Sequence, residues 1–375
     1  MHPRSWFAIA CLTGLSGASC PARSAPAYAV TMLPASLYGA NGIDNAGRIA
    51  GTGVFGGNAR ALLYAGGSPL DLGTLGGPTS YGYGISDDGK VTGSAALSSN
   101  LSHAFVYADG AMHDLGALPG GRNSGGSAVN DLGQVAGSSE AGGDEVHAVL
   151  ADANGMRDLG TLGGKFSYAA GINDAGHVVG ASTLADGGRH AFFYRDGAMS
   201  DLGNLGGVYS FADRINDRDQ IVGGIVDDRD VAHPFVYENG VATLLGDFGG
   251  QYSGAWDINN RGQVVGYSTF DGTIESRHGF LYTEGQLLDI NSLIDPAPGL
   301  TVSLAVGIND AGQILGFACR PDACAPVRLD PLGPPPVPEP AAVAMLLGGL
   351  AAGAAWRRRL LSRACPHPCA RSTTT

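Results

Sequence analysis

Lysine is nearly missing from this chain of 375 residues: Lys90 and Lys165 are its only two, and charged residues together make up 15%. With a formal net charge of -12, the chain lacks the basic face that a phosphate backbone requires, which excludes nucleic acid as a partner. Sustained helical periodicity is missing too, so a helical domain is not expected. Neither GxSxG, HExxH, a phosphate loop nor a dinucleotide fingerprint occurs, so no catalysis is evident and no cofactor is expected. A glycosidase needs only two carboxylates, however, and the missing motifs do not exclude one.

Glycine is abundant, with 61 residues, and it recurs in a fixed phrase. The phrase reads GIDNAGRIAG from Gly42, GISDDGKVTG from Gly84, AVNDLGQVAG from Ala128, GINDAGHVVG from Gly171, RINDRDQIVG from Arg214, DINNRGQVVG from Asp257 and GINDAGQILG from Gly307. Between Ile43, Ile85, Val129, Ile172, Ile215, Ile258 and Ile308 the steps are 42, 44, 43, 43, 43 and 50 residues. A second phrase follows each copy, clearest as HAFVYADGAMHDLGALPGG from His103 and HAFFYRDGAMSDLGNLGG from His190. Alternation, β-branched and aromatic residues, and Asn/Asp/Gly punctuation divide each repeat into four strands. Glycine in NDAG and DG supplies the positive φ of short hairpin turns. Four strands in a unit of roughly 40 to 50 residues mark a propeller blade.

The seventh copy runs into Pro-rich sequence before its fourth strand. At the other end, YAVTMLPAS from Tyr28 stands before the first copy as the end of one blade stands before the next. The N-terminal segment is therefore expected to complete the last blade, which removes the free edges of an open ring. The expected fold is all-β: a β-propeller of seven four-stranded blades closed by an N-terminal strand, with a transmembrane segment following it.

Residues 1–29 have a basic start, an apolar stretch and small residues ending in Ala27-Tyr28-Ala29, the pattern of a signal peptide cleaved after Ala25, Ala27 or Ala29. A lipoprotein signal at Cys20 is disfavoured, because GASC lacks a Leu three residues before the cysteine. The propeller then spans residues 30–330 and a Pro-rich linker residues 331–337. Residues 338–359 hold Pro338, Glu339 and Pro340, an apolar run, and Arg357, Arg358 and Arg359; residues 360–375 form a basic tail expected to be disordered. The apolar run is a marginal membrane span, with the arginines on the cytoplasmic side and the propeller on the other. These residues resemble the PEP-CTERM sorting signal of Gram-negative bacteria, which implies recognition by exosortase, a membrane transpeptidase. The chain continues further past its arginines than such signals do, and a plain C-terminal anchor is the alternative. The HAF, DLG and GINDAG wording over residues 35–330 resembles the HAF repeats of bacterial extracellular proteins, a likeness that carries no activity.

Among the cysteines, Cys11 and Cys20 fall in the signal, and Cys365 and Cys369 lie beyond the apolar run. Cys319 and Cys324 flank a strand connection in the last blade, where an oxidising compartment favours a disulfide. His103, His147, His190, His233 and His278 recur at one place in successive blades, too far apart for one ion; each is expected to satisfy backbone groups of its own strand. No metal site is expected. Departures from the repeat are more informative. Just before Ile-Asn most copies carry small residues, whereas Tyr83, Asp213, Arg214, Trp256 and Asp257 do not. Two readings stand: a polar and aromatic ligand patch at a channel mouth, or an intrablade ion pair and a larger filler. Asp227, Asp228, Asp230 and Asp271 lie in variable loops without the spacing of a calcium loop. The functional expectation is a surface-tethered structural or interaction module of the envelope or extracellular polymer, with polysaccharide as a candidate partner; a polysaccharide hydrolase or lyase is the alternative.

Overall fold

The computed structural model describes residues 27–295 and 299–333. Residues 1–26, the linker from 334 onward, the sorting signal with its expected membrane span, and the basic tail lie outside the described residues. Among the described residues no helix is long and apolar enough to cross a membrane. The chain is all-β and propeller-like. Five four-stranded sheets are separate, and one eight-stranded sheet consists of two four-stranded halves joined by a single parallel bridge from Val146 to Phe166. We number the four-stranded units 1 to 7 by repeat. Their innermost strands are Leu37–Ile43, Gly76–Ile85, Ser124–Val129, Gly163–Ile172, Tyr209–Ile215, Ser253–Ile258 and Thr301–Ile308. The outer strand of unit 7 is Tyr28–Met32, which runs antiparallel to Cys324–Pro331 from Tyr28 opposite Pro331 to Met32 opposite Val327. Tyr28 is buried among Ile290, Ile294, Val302 and Val327. Cleavage after Ala29 would remove that ring, whereas cleavage after Ala25 or Ala27 would leave it in place.

Every innermost strand has the same irregularity. Its register slips by one residue shortly before the Ile or Val, between Ala169 and Gly171 in unit 4 and between Ala212 and Arg214 in unit 5, with counterparts in the other units. Such a bulge places two residues of one strand against one of its neighbour. The glycine that ends the QVVG phrase makes room for it. A Cβ on that glycine would stand 1.8 Å from the Tyr81 carbonyl oxygen at Gly93, 1.9 Å from that of Tyr168 at Gly180, and 2.3 Å from that of Leu304 at Gly316. The repeated glycine thus permits a close backbone approach rather than a special turn.

Neighbouring units are joined by a side-chain donor aimed at a main-chain carbonyl. The Nδ2 group of Asn130 donates to the Asn173 carbonyl at 3.0 Å, Asn173 to that of Asn216 at 3.0 Å, and Asn216 to that of Asn259 at 3.0 Å. Asn259 then donates to the Asn309 carbonyl at 2.9 Å, and Asn309 to that of Asp44 at 2.7 Å. Units 1 and 2 carry Asp44 and Ser86 at this position, and neither can donate an amide. There the residue four places on takes over: the Arg48 guanidinium donates to the Asp87 carbonyl at 2.9 Å, and the Lys90 ammonium to that of Asp131 at 3.1 Å. In units 3 to 7 that later position is Gln or His.

The HAF phrase also has a structural reading, and it differs from the sequence expectation. The imidazoles do not satisfy their own strands. His103 Nδ1 pairs with Asp114 at 2.8 Å, His147 with Asp158 at 2.8 Å, His190 with Asp201 at 2.9 Å and His278 with Asp289 at 2.9 Å. Each partner is the aspartate of the DLG phrase or its equivalent eleven residues on, so the pair clasps the third strand to the fourth. Unit 5 has Leu244 there, and His233 Nε2 turns to Asp227 at 3.3 Å instead. The aromatic of HAF fills the core, with Phe105, Phe192, Phe235 and Phe280 fully buried. A buried serine of the following unit ties both phrases together: Ser167 accepts the Ala148 amide at 2.7 Å and donates to the Gly160 carbonyl at 2.6 Å.

Two stability outcomes follow from these contacts. Gly180→Ala must displace the Tyr168 carbonyl and is expected to cost more than about 2 kcal/mol in urea unfolding. Asn216→Asp removes an inter-unit donor and leaves the Asn259 carbonyl unpaired, at about 1 to 3 kcal/mol; adding Gln220→Arg, which by analogy with Arg48 reaches the carbonyl one residue further on, is expected to restore only part of that loss.

Candidate functional site

The bulge gives each innermost strand one extra residue. The extra residue of each innermost strand is Asn41, Tyr83, Ser127, Ala170, Asp213, Trp256 or Val306, and the residue after it is Gly or Ala in every unit except 5 and 6, which have Arg214 and Asp257. Asn41, Tyr83, Asp213, Arg214, Trp256 and Val306 line one cavity of about 240 Å³. Tyr83 and Trp256 are 40% and 37% exposed, so neither is a buried filler. Trp256 stands edge-on to Tyr267 with ring centroids 5.6 Å apart.

The charged residues of this vestibule do not pair within one blade. Arg214 Nε lies 3.9 Å from Asp257 Oδ1 in the next unit, and Arg214 Nη1 donates to the carbonyls of Ala170 and Asp213, each at 2.9 Å. The other Asp257 oxygen accepts the Ile308 amide at 2.9 Å. The Asp213 carboxylate accepts no hydrogen bond from any described residue. Burial pushes both carboxyls up to about 6, against the opposing pull of Arg214 on each, of Arg189 on Asp213, and of the Ile308 amide on Asp257. Four of the five side chains singled out by their departure from the repeat thus line one cavity, and the fifth, Asp257, is paired with one of the four.

Sequence reasoning missed a second ring at the NDAG turns. Asn45, Asp87, Asp131, Asp174, Asp217, Asn260 and Asp310 line a cavity of about 180 Å³ that also touches Tyr83 and Arg214. Their backbone amides and side chains link successive units: the Asp131 amide donates to Asp174 Oδ1 at 3.0 Å, that of Asp174 to Asp217 at 2.9 Å, that of Asp217 to Asn260 at 2.9 Å, that of Asn260 to Asp310 at 2.7 Å, that of Asp310 to Asn45 at 2.7 Å and that of Asn45 to Asp87 at 2.8 Å. Burial raises the Asp87 and Asp174 carboxyls, and neighbouring aspartates add to the shift. The signal was the second residue of the recurrent ND pair, which acquires a meaning only once neighbouring repeats are set side by side.

The remaining candidates sit apart from the vestibule. Asp227 accepts the side chain of Arg229 at 2.6 Å and the Val231 amide at 3.0 Å, contacts that hold its carboxyl well below the usual range. Asp271 is similarly lowered by Ser276 and Thr273. Asp230 reaches the Tyr209 hydroxyl at 3.5 Å, and Asp228 lies in the same loop. Among the described residues no three His, Cys, Asp or Glu side chains are grouped to hold a metal ion. Cys319 and Cys324 are joined by a disulfide across the hairpin of unit 7. Pro338, Glu339, Pro340, Arg357, Arg358 and Arg359 lie outside the described residues.

The raised Asp213 carboxyl makes a pH-dependent stability difference measurable. Because the native state holds this proton more tightly than the unfolded chain, its contribution is fully present below the ordinary value of 3.8 and is lost as pH rises through about 6. Asp213→Asn lacks this loss. In paired thermal melts the variant is expected to gain on the parent protein between pH 4 and pH 7 by on the order of 1 to 2 kcal/mol, the full shift being discounted for partial exposure.

Residues 336–359 match the PEP-CTERM protein-sorting motif. The motif implies an exported chain, transiently anchored in the membrane and recognised by exosortase. No curated protein matches the chain. In fold it is similar to the β-propeller domain of the Trilobed protease from Pyrococcus furiosus, with a TM-score of 0.53 and 10% identity over 78% of this chain and 94% of that one. YCF48 bound to D1 peptide gives 0.49 and 11% over 84% and 98%. The gluconolactonase XC5397 from Xanthomonas campestris gives 0.40 and 12% over 81% and 90%. At these identities the similarity is one of fold: the chain is all-β and propeller-like, and it carries a PEP-CTERM sorting motif.

Proposed function

We propose that this chain is an exported, membrane-sorted, HAF-type propeller of seven blades, closed by its own N-terminal strand, which serves as a noncatalytic binding module of the envelope or extracellular polymer. The pairing of Tyr28–Met32 with Cys324–Pro331 and the Asn309 to Asp44 contact support the closure. One observation carries the binding reading: Tyr83, Asp213, Arg214 and Trp256, the departures from the repeat in units 2, 5 and 6, line a single vestibule. Extracellular polysaccharide is the partner that such a mixture of aromatic rings and fixed polar groups suits.

A polysaccharide hydrolase or lyase is the second reading, and a specific feature favours it. Asp213 and Asp257 both carry carboxyls raised to about 6, as the general acid of a glycosidase does. Against it, one Asp257 oxygen is already committed to the Ile308 amide.

Incubating the exported protein with the extracellular polysaccharide of its own cells tests both readings. Co-sedimentation without release of reducing ends, weakened in Trp256→Ala, is expected. Reducing-end release that disappears in Asp213→Asn would establish the enzyme instead.

A further inference from the structure

The boundary between units 2 and 3 is open where another is filled. Between units 4 and 5, the guanidinium carbon of Arg189 lies 4.4 Å from the Tyr209 ring centroid and 5.7 Å from that of Phe211. Between units 2 and 3 the same three positions hold Ser102, Asn123 and Gly125. A trough of about 580 Å³ stands there, bordered by Ser94, Ser102, Gly125, Gly126, Ser127 and Ser138. Units 1 and 6 also have glycine at the Gly125 position, yet their space is occupied: a Cβ on Gly39 would meet Thr52 Cβ at 3.4 Å, and one on Gly254 the Tyr267 ring at 3.1 Å. On Gly125 it would meet only Ser94 Cβ, at 3.9 Å.

The trough continues into the vestibule, because Tyr83 and Arg214 border both. Ser94 and Ser102 belong to the second and third strands of unit 2. Since neighbouring strands lie about 4.8 Å apart, the trough reaches roughly 10 Å outward from the innermost strand. Its serines are partly exposed along that length, apart from Ser124, so a chain can settle into it sideways without presenting an end. The chemistry is that of hydroxyl groups. Ser124 is engaged by the fold, accepting the Ala104 amide at 2.8 Å and donating to the Gly116 carbonyl, whereas the hydroxyls of Ser94, Ser127 and Ser138 bond to no described residue. Each can donate and accept, as sugar hydroxyls do, and Tyr83 and Trp256 in the vestibule offer aromatic surface to the CH face of a pyranose. The apolar pockets that take the side chains of a bound peptide are not part of this border.

We propose that the trough and the vestibule together hold an internal stretch of polysaccharide, several sugar units long, laid across units 2 and 3. This rests on the binding reading above and specifies where the polymer lies.

The test compares the exported protein with Gly125→Tyr and Ser102→Arg, by co-sedimentation with the extracellular polysaccharide of its own cells after protease digestion of that polymer, and by titration with size-graded fragments of it. Tyrosine holds the Gly125 position in units 2 and 4, and arginine the Ser102 position in units 4 and 6, so both variants are expected to keep the thermal transition of the parent. Each is expected to weaken retention roughly tenfold, and in the parent the affinity for fragments is expected to rise from one sugar to several and then stay level. Retention unchanged in the folded variants would overturn the inference while sparing the binding reading. A single sugar bound as tightly as the long fragments would overturn it too. Retention that disappears once the polymer has been digested with protease would overturn it in favour of a polypeptide. Absence of retention before and after digestion would remove the binding reading itself.

Discussion

The structure depends on one donor per unit reaching one carbonyl in the next. Neighbouring sheets touch mainly through side chains, and apolar packing alone sets their separation better than their register. The amide from Asn130, Asn173, Asn216, Asn259 or Asn309 fixes that register, because a buried carbonyl left without its donor costs more than the hydrogen bond contributes. Units 1 and 2 show that the requirement concerns the donor and not the residue. Where Asp44 and Ser86 cannot provide an amide, Arg48 and Lys90 reach across from the other end of the same turn. Lys90 is one of the two lysines in the chain, and it is placed where a long cation replaces a short amide.

The same economy governs the axis. A glycine without a side chain lets the backbone of the innermost strand approach, the approach produces a bulge, and the bulge turns an extra residue toward the channel. Architecture fills that position with Ser127 or Ala170 as readily as with anything larger. The chain can therefore vary it without disturbing the sheets, and it does so in every unit except 3 and 4. Arg214 and Asp257 face each other at 3.9 Å across the boundary between units 5 and 6.

Much of this was legible in the sequence. Four strands per repeat and the pairing of the Tyr28 segment with the last strand of the seventh rest on period and position, which a repeat displays openly. What was not legible depended on contacts between phrases. The histidine of HAF was read alone, yet its partner lies eleven residues further on across a hairpin. The exceptions held the signal: His233 loses its aspartate to Leu244 and turns to Asp227, while Arg60 in place of histidine still faces Asp71 at 3.7 Å. The ring from Asn45 to Asp310 was hidden for a different reason. Its members are separated by whole repeats, and only the packing of one unit against the next makes them neighbours.

Asp213 and Asp257 are superficially alike, and the difference between them assigns their roles. Both are half-buried, and that burial raises both carboxyls. Asp257 recovers part of that cost through the Ile308 amide and Arg214, so it has a structural use in joining unit 6 to unit 7. Asp213 has charged neighbours but no hydrogen bond among the described residues, and nothing in the packing of unit 5 requires a carboxylate there, since Ser127 and Ala170 hold the same position in units 3 and 4. Asp213 is half-buried and lines the cavity, so its carboxylate stays open to water and its identity is free to vary without disturbing the sheet.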